Sequence, residues 1–100
     1  FYRRTLNEDQ LIGFFIEATG LLSTGMGGLY QEAQTAAYRP TGGSANLLGS
    51  ASGNSLRVSS SPLYSLEFSV SGNDLIVSGT GKNGDTIDWN LKIKEVDNNG

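Results

Sequence analysis

Three aspartates towards the C-terminal end, Asp85, Asp88 and Asp97, with Asn83 and Asn98 beside them, are the side chains of this chain best suited to hold an ion. Their hard oxygens suit Ca²⁺, yet that ion takes about six to eight oxygen ligands and this spacing fits no EF-hand loop. They stand as weak calcium candidates against the plainer reading as solvated turn and edge residues. Gly79-Thr80-Gly81-Lys82-Asn83-Gly84 spells G-x-G-x-x-G letter for letter. A dinucleotide site needs a helix N-terminus after those glycines to hold the pyrophosphate, whereas here alternation typical of a strand resumes near Asp85. Asn-Gly between alternating segments reads instead as a hairpin turn.

Other chemistry is excluded by what the chain lacks. It has 100 residues with no His and no Cys, which removes a histidine base, thiol nucleophiles, disulfides and Cys/His zinc sites. The serines have no histidine to activate them, and Lys82, Lys92 and Lys94 fall in a turn or on the polar side of a strand. Nothing pairs the carboxylates in a cleft that would separate their pKa values. The expectation is a protein with no catalytic residues and no cofactor. A net charge of −3 gives no electrostatic footprint for nucleic acid.

The elements that must carry these residues divide into two kinds. Thr5-Leu6-Asn7-Glu8 fits a capping box, and Leu11, Phe14, Phe15, Ala18, Leu21 and Leu22 follow the spacing of one helical stripe. Gly25, Gly27 and Gly28 interrupt it, and a second short helix is predicted from Leu29 to Tyr38, ended by Arg39-Pro40. Residues 5–38 are therefore expected to be helical, and 39–55, rich in Gly and Ser, to form a long loop. Five glycines within Leu11 to Tyr30 argue against a spanning helix despite its single charge, Glu17. From residue 56 the period becomes two, predicting strands at about 56–60, 63–70, 75–80 and 86–95. The expected fold is a single α+β domain, an N-terminal amphipathic helix packed on one face of a three- or four-stranded antiparallel meander.

Ile12 and Ile16 lie off the main stripe, so the expected helix is apolar nearly all round. Gly13, Gly20 and Gly27 recur every seven residues along its back. Leu11, Ile12, Gly13, Ile16 and Gly20 are accordingly the expected partner-binding residues, a surface against which a second helix could approach closely.

A helix too apolar for a free surface, a Gly/Ser loop and a meander together resemble the soluble part of a type IV pilin or type II secretion pseudopilin. Gly13-Phe14-Phe15-Ile16-Glu17 echoes the prepilin signature, with Glu17 one position early. The resemblance implies a structural subunit of an extracytoplasmic filament or secretion assembly, with other copies or homologous subunits as partners. It also implies an apolar helical half before Phe1, through which alone a membrane would be met. The chain opens at Phe1 rather than Met, which reads as a mature or trimmed segment. The family's usual C-terminal disulfide loop cannot form here, which points towards its disulfide-free members, and the calcium used by some of them adds weight to Asp85, Asp88 and Asp97. The alternative expectation is a small secreted binding module, using either a pocket between helix and sheet around Tyr64, Phe68 and Trp89 or the 41–55 loop.

Overall fold

A computed structural model of the chain describes residues 2–48, 54–61, 63–82 and 84–99. It overturns the expected α+β class: the described residues form eight strands and no helix. They are β1 (Tyr2–Thr5), β2 (Gln10–Leu22), β3 (Gly28–Arg39), β4 (Asn46–Leu47), β5 (Asn54–Ser59), β6 (Ser65–Ser71), β7 (Asp74–Thr80) and β8 (Ile87–Asn98).

The segment read as helical is a long hairpin, β2 paired antiparallel with β3 from Gln10↔Arg39 to Leu21↔Gly28. The physical reason lies in its parity. Gln10, Ile12, Phe14, Ile16, Ala18 and Gly20 alternate into the interior, while Leu11, Gly13, Phe15, Glu17, Thr19 and Leu21 face outward. Because Leu11, Phe15 and Leu21 are also apolar, the outer row fills gaps in the inner one, and the combined pattern imitates a helical stripe. Eight aromatic or β-branched residues in the hairpin strands (Ile12, Phe14, Phe15, Ile16, Thr19, Tyr30, Thr35, Tyr38) suit the extended state. The glycines read as helix breakers make the turn instead, Gly25 and Gly27 both having positive φ.

Two antiparallel sheets result. The long-stranded sheet runs β4-β3-β2-β8, with β5 also paired to β3; the short-stranded sheet runs β1-β7-β6. At 13 residues, β2 spans about 43 Å of extended chain, and the molecule measures 47 × 21 × 19 Å. The chain changes sheet at three places: after β1, where Leu6 is wholly buried and its N–H donates to the Asn73 carbonyl at 2.8 Å, between β5 and β6, and between β7 and β8.

The core lies between the sheets. Ile12, Phe14, Ile16 and Ala18 of β2 and Ala33 and Ala37 of β3 meet Leu66 and Phe68 of β6 and Leu75 and Val77 of β7. Trp89, Leu91 and Ile93 of β8 close one side. Tyr64 and Phe68 are buried, and with no helix among the described residues the pocket expected between helix and sheet has no helix to wall it. A buried amide ties the layers at the other side: Gln31 Oε1 accepts the Leu66 N–H of edge strand β6 at 2.9 Å.

Candidate assembly surface

The outer face of the long-stranded sheet is the surface that ordinary solvation does not explain. Register places its side chains in rows across β8, β2, β3 and β5. One row is Asn90, Thr19, Tyr30 and Val58; the next is Lys92, Glu17, Glu32 and Leu56. Val96, Gly13 and Ala36 form another, and Asn98, Leu11 and Tyr38 lie beyond it. Val96 is 66% exposed, Val58 64%, Leu21 56% and Leu56 55%, with Leu11 and Tyr38 also exposed and Phe15 and Tyr30 half-buried. Apolar side chains thus flank a central charged band on a sheet face open to water.

Within that band Lys92 lies directly across from Glu17, and Lys94 across from Phe15. The Tyr30 hydroxyl donates to Glu17 Oε2 at 3.4 Å; desolvation, then the charges of Glu32 and Glu17, raise its pKa above the ordinary value. Gly13 supplies no side chain to its row, and a Cβ there would meet nothing within 4 Å. The face dips at that point into an open depression of about 630 Å³, rimmed by Phe15, Glu17, Gln34, Lys92, Lys94 and Val96.

The expected partner-binding residues are split by the strand. Ile12 and Ile16 are fully buried in the core, so they are structural residues and not a docking surface. Gly20 also faces inward, where Ile87 and Trp89 occupy the space its missing side chain leaves, at 2.9 and 3.2 Å from a would-be Cβ. Only Leu11 and Gly13 lie on the outer face. A seven-residue glycine spacing aligns a helical face but puts successive strand positions on opposite sides, which is why Gly13 and Gly20 part company.

The calcium candidates are likewise separated. Asp85 accepts a hydrogen bond from the Tyr64 hydroxyl at 2.5 Å, Asp88 sits on the exposed outer side at the start of β8, and Asp97 lies at its other end, 3.6 Å from the Arg4 guanidinium. Asn83 and most of the 41–55 loop's tip, residues 49–53, lie outside the described residues. Among the described residues, no group of three or more His, Cys, Asp or Glu could hold a metal ion.

Outer-face residues that the sequence reading does not single out are the exposed Leu21, Leu56, Val58 and Val96 and the half-buried Phe15 and Tyr30. The signal was present: β2 carries apolar residues at both parities, which a strand wet on one face does not need. No helix of the described residues is long and apolar enough to cross a membrane. No known family model matches the chain, and neither a curated protein nor a solved structure matches it.

Proposed function

We propose that this chain is a non-enzymatic structural subunit of an extracytoplasmic assembly, joined to other copies or homologous subunits through the outer face of its long-stranded sheet. The single observation that supports this is the exposure of Leu11, Leu21, Leu56, Val58 and Val96 on one sheet face of a chain whose core is already complete without them. Covering such a face gains about 25 cal/mol per Å² of apolar area, and sheet faces pack at about 10 Å with interdigitating side chains. The contact expected of a helix is thereby moved to a sheet.

Sedimentation velocity over a concentration series tests the proposal. Wild type should self-associate, and the Leu56→Lys/Val58→Lys double variant should remain monomeric while keeping its melting temperature. Ser69→Lys, on the other sheet, should assemble as wild type does. A wild-type monomer at every concentration, or a double variant that assembles unchanged, overturns it.

The depression over Gly13 favours one further reading, a binding module that lodges a small ligand among Phe15, Lys92 and Lys94. Tyrosine and tryptophan fluorescence titration against candidate ligands separates it from assembly, since Gly13→Val would abolish binding without dispersing an assembly.

A further inference from the structure

The edges of the two sheets are treated unequally. On β6 the Leu66 N–H is taken by the Gln31 amide, and Arg57 Nη1 donates to the Tyr64 carbonyl at 3.2 Å. The C-terminal half of β8 is clamped by β1: Arg4 Nε lies 3.1 Å from Glu95 Oε1, Tyr2 donates its hydroxyl to Glu95 Oε2 at 2.7 Å, and Arg4 Nη2 lies 3.6 Å from Asp97. The N-terminal half, residues 87–93, is paired with β2 on one side and has no strand neighbour on the other among the described residues. It also lacks the inward-pointing charges by which Glu95 and Asp97 blunt the rest of the strand.

We infer that residues 87–93 of β8 pair antiparallel with the same residues of a second copy, about a two-fold axis through Asn90, making one sheet continuous across two molecules. The sequence of the strand selects this occupant and this register. With Asn90 opposite Asn90, Asp88 faces the partner's Lys92 twice, and on the core side Ile87 faces Ile93 and Trp89 faces Leu91. Moving the axis to Leu91 still sets Asp88 against Lys94 but puts Ile87 against Glu95 on the core side; moving it to Trp89 leaves Asp88 against Asn90 with no charge paired, and moving it to Lys92 sets lysine against lysine. A shift that exchanges parity would place apolar side chains opposite polar ones. Opposite charges across a strand pair stabilise and like charges destabilise, so one register satisfies both faces. Trp89 keeps its seat between Gly20 and Gly79, since the new neighbour arrives at the edge and not from the face. An edge contact of this kind is isologous and closes on itself. It is distinct from the face contact proposed above, and a subunit bearing both can extend.

The absence of native cysteine makes the test direct. Residues opposite one another in an antiparallel pair have Cα atoms about 4.5–5.5 Å apart, within disulfide reach. Under mild oxidation Asn90→Cys should form a disulfide dimer, roughly ten-fold faster than the out-of-register Lys94→Cys. Asp88→Cys mixed with Lys92→Cys should cross-link where neither does alone. Asp88→Lys should weaken pairing about ten-fold, and Asp88→Lys/Lys92→Asp should restore it. All are exposed, outward positions, and circular dichroism confirms that each variant is folded. The cross-linking is repeated in the Leu56→Lys/Val58→Lys background. Persistence there supports the edge pair even if face assembly fails; loss in both backgrounds, or no rescue by the charge swap, overturns the edge pair and leaves the face contact standing. Loss in the face variant alone overturns the edge as an independent contact.

Discussion

The two sheets of this molecule meet the same solvent with opposite surfaces. The short-stranded sheet turns Ser65, Glu67, Ser69 and Ser71 of β6, Asp74, Ser78 and Thr80 of β7, and Arg3 and Thr5 of β1 outward, with Ile76 lying between Arg3 and Ser69. That is the alternation of a sheet packed on one face and wet on the other. The long-stranded sheet breaks this rule on β2, β3, β5 and β8. Since both sheets enclose one core, the difference cannot be assigned to stability: the short sheet shows how this chain builds a face that remains in water, and the long sheet does not follow that recipe.

The strongest way to break the comparison is to charge each side of β2. Ile16→Asp would place an unpaired carboxylate in the filled interior, a loss of about 5 kcal/mol that rivals the whole stability of a small domain, and the purified protein should be unfolded by circular dichroism. The neighbouring Phe15→Asp, on the outer face, should stay folded, with a loss of about 1 kcal/mol in urea denaturation. Equal damage from both would mean that the two faces of β2 are buried alike and that the outer face is no surface at all.

Glycines sharpen the same contrast. At Gly79, on β7, a Cβ would lie 2.5 Å from the Trp89 indole, so Gly79→Ala forces the ring aside and should cost about 1–3 kcal/mol, read as a lower urea midpoint. Gly13 faces open space, and Gly in a strand interior is weaker than a β-branched residue, so Gly13→Val should gain up to about 1 kcal/mol. Two substitutions that each enlarge a strand glycine are expected to differ in sign because one face is filled and the other is not.

The β6–β7 hairpin is legible because its two strands are wet on one face, whereas the hairpin expected at Gly81–Gly84 is instead a passage from β7 of one sheet to β8 of the other. Tyr64, Leu66, Phe68 and Val70 alternate with Ser65, Glu67 and Ser69, and Gly72, with φ +58 at the first central position of the two-residue β6–β7 turn, supplies the backbone a type II′ hairpin needs. The first half was misread for the reason that makes it interesting. Periodicity reports which residues leave water; where both parities of β2 carry apolar residues, the period of two is masked and a stripe at 3.6 emerges by accident. The candidate surface and the failed helix are therefore one feature. Register across strands lay further out of reach: nothing local places Lys92 beside Glu17 or Leu56 beside Glu32, since those neighbours are set by pairing between distant segments.

The smallest effects should come from the side chains that fasten β1 to both sheets, and they divide by pH. Hydrogen bonds from Thr5 and then Arg3 lower the Asp74 pKa below its ordinary value, so its contribution is complete above the unfolded carboxylate value and is lost as pH falls through the lower folded one. Burial, and then the hydrogen bond to Glu95, push Tyr2 up to about 12. The sign is reversed there: the neutral phenol is the form the fold prefers, so stability is complete below the unfolded value of 10.0 and declines as pH rises from there through about 12. Melting temperature measured across pH should accordingly fall at both extremes. Asp74→Asn should flatten only the acid limb, acting on the β1–β7 pair of the short sheet, and Tyr2→Phe only the alkaline limb, acting where β1 grips β8 of the long one. If Tyr2→Phe left the alkaline limb unchanged, the clamp between the sheets would not depend on that phenol, and the closed half of β8 would have to owe its protection to Arg4, Glu95 and Asp97 alone.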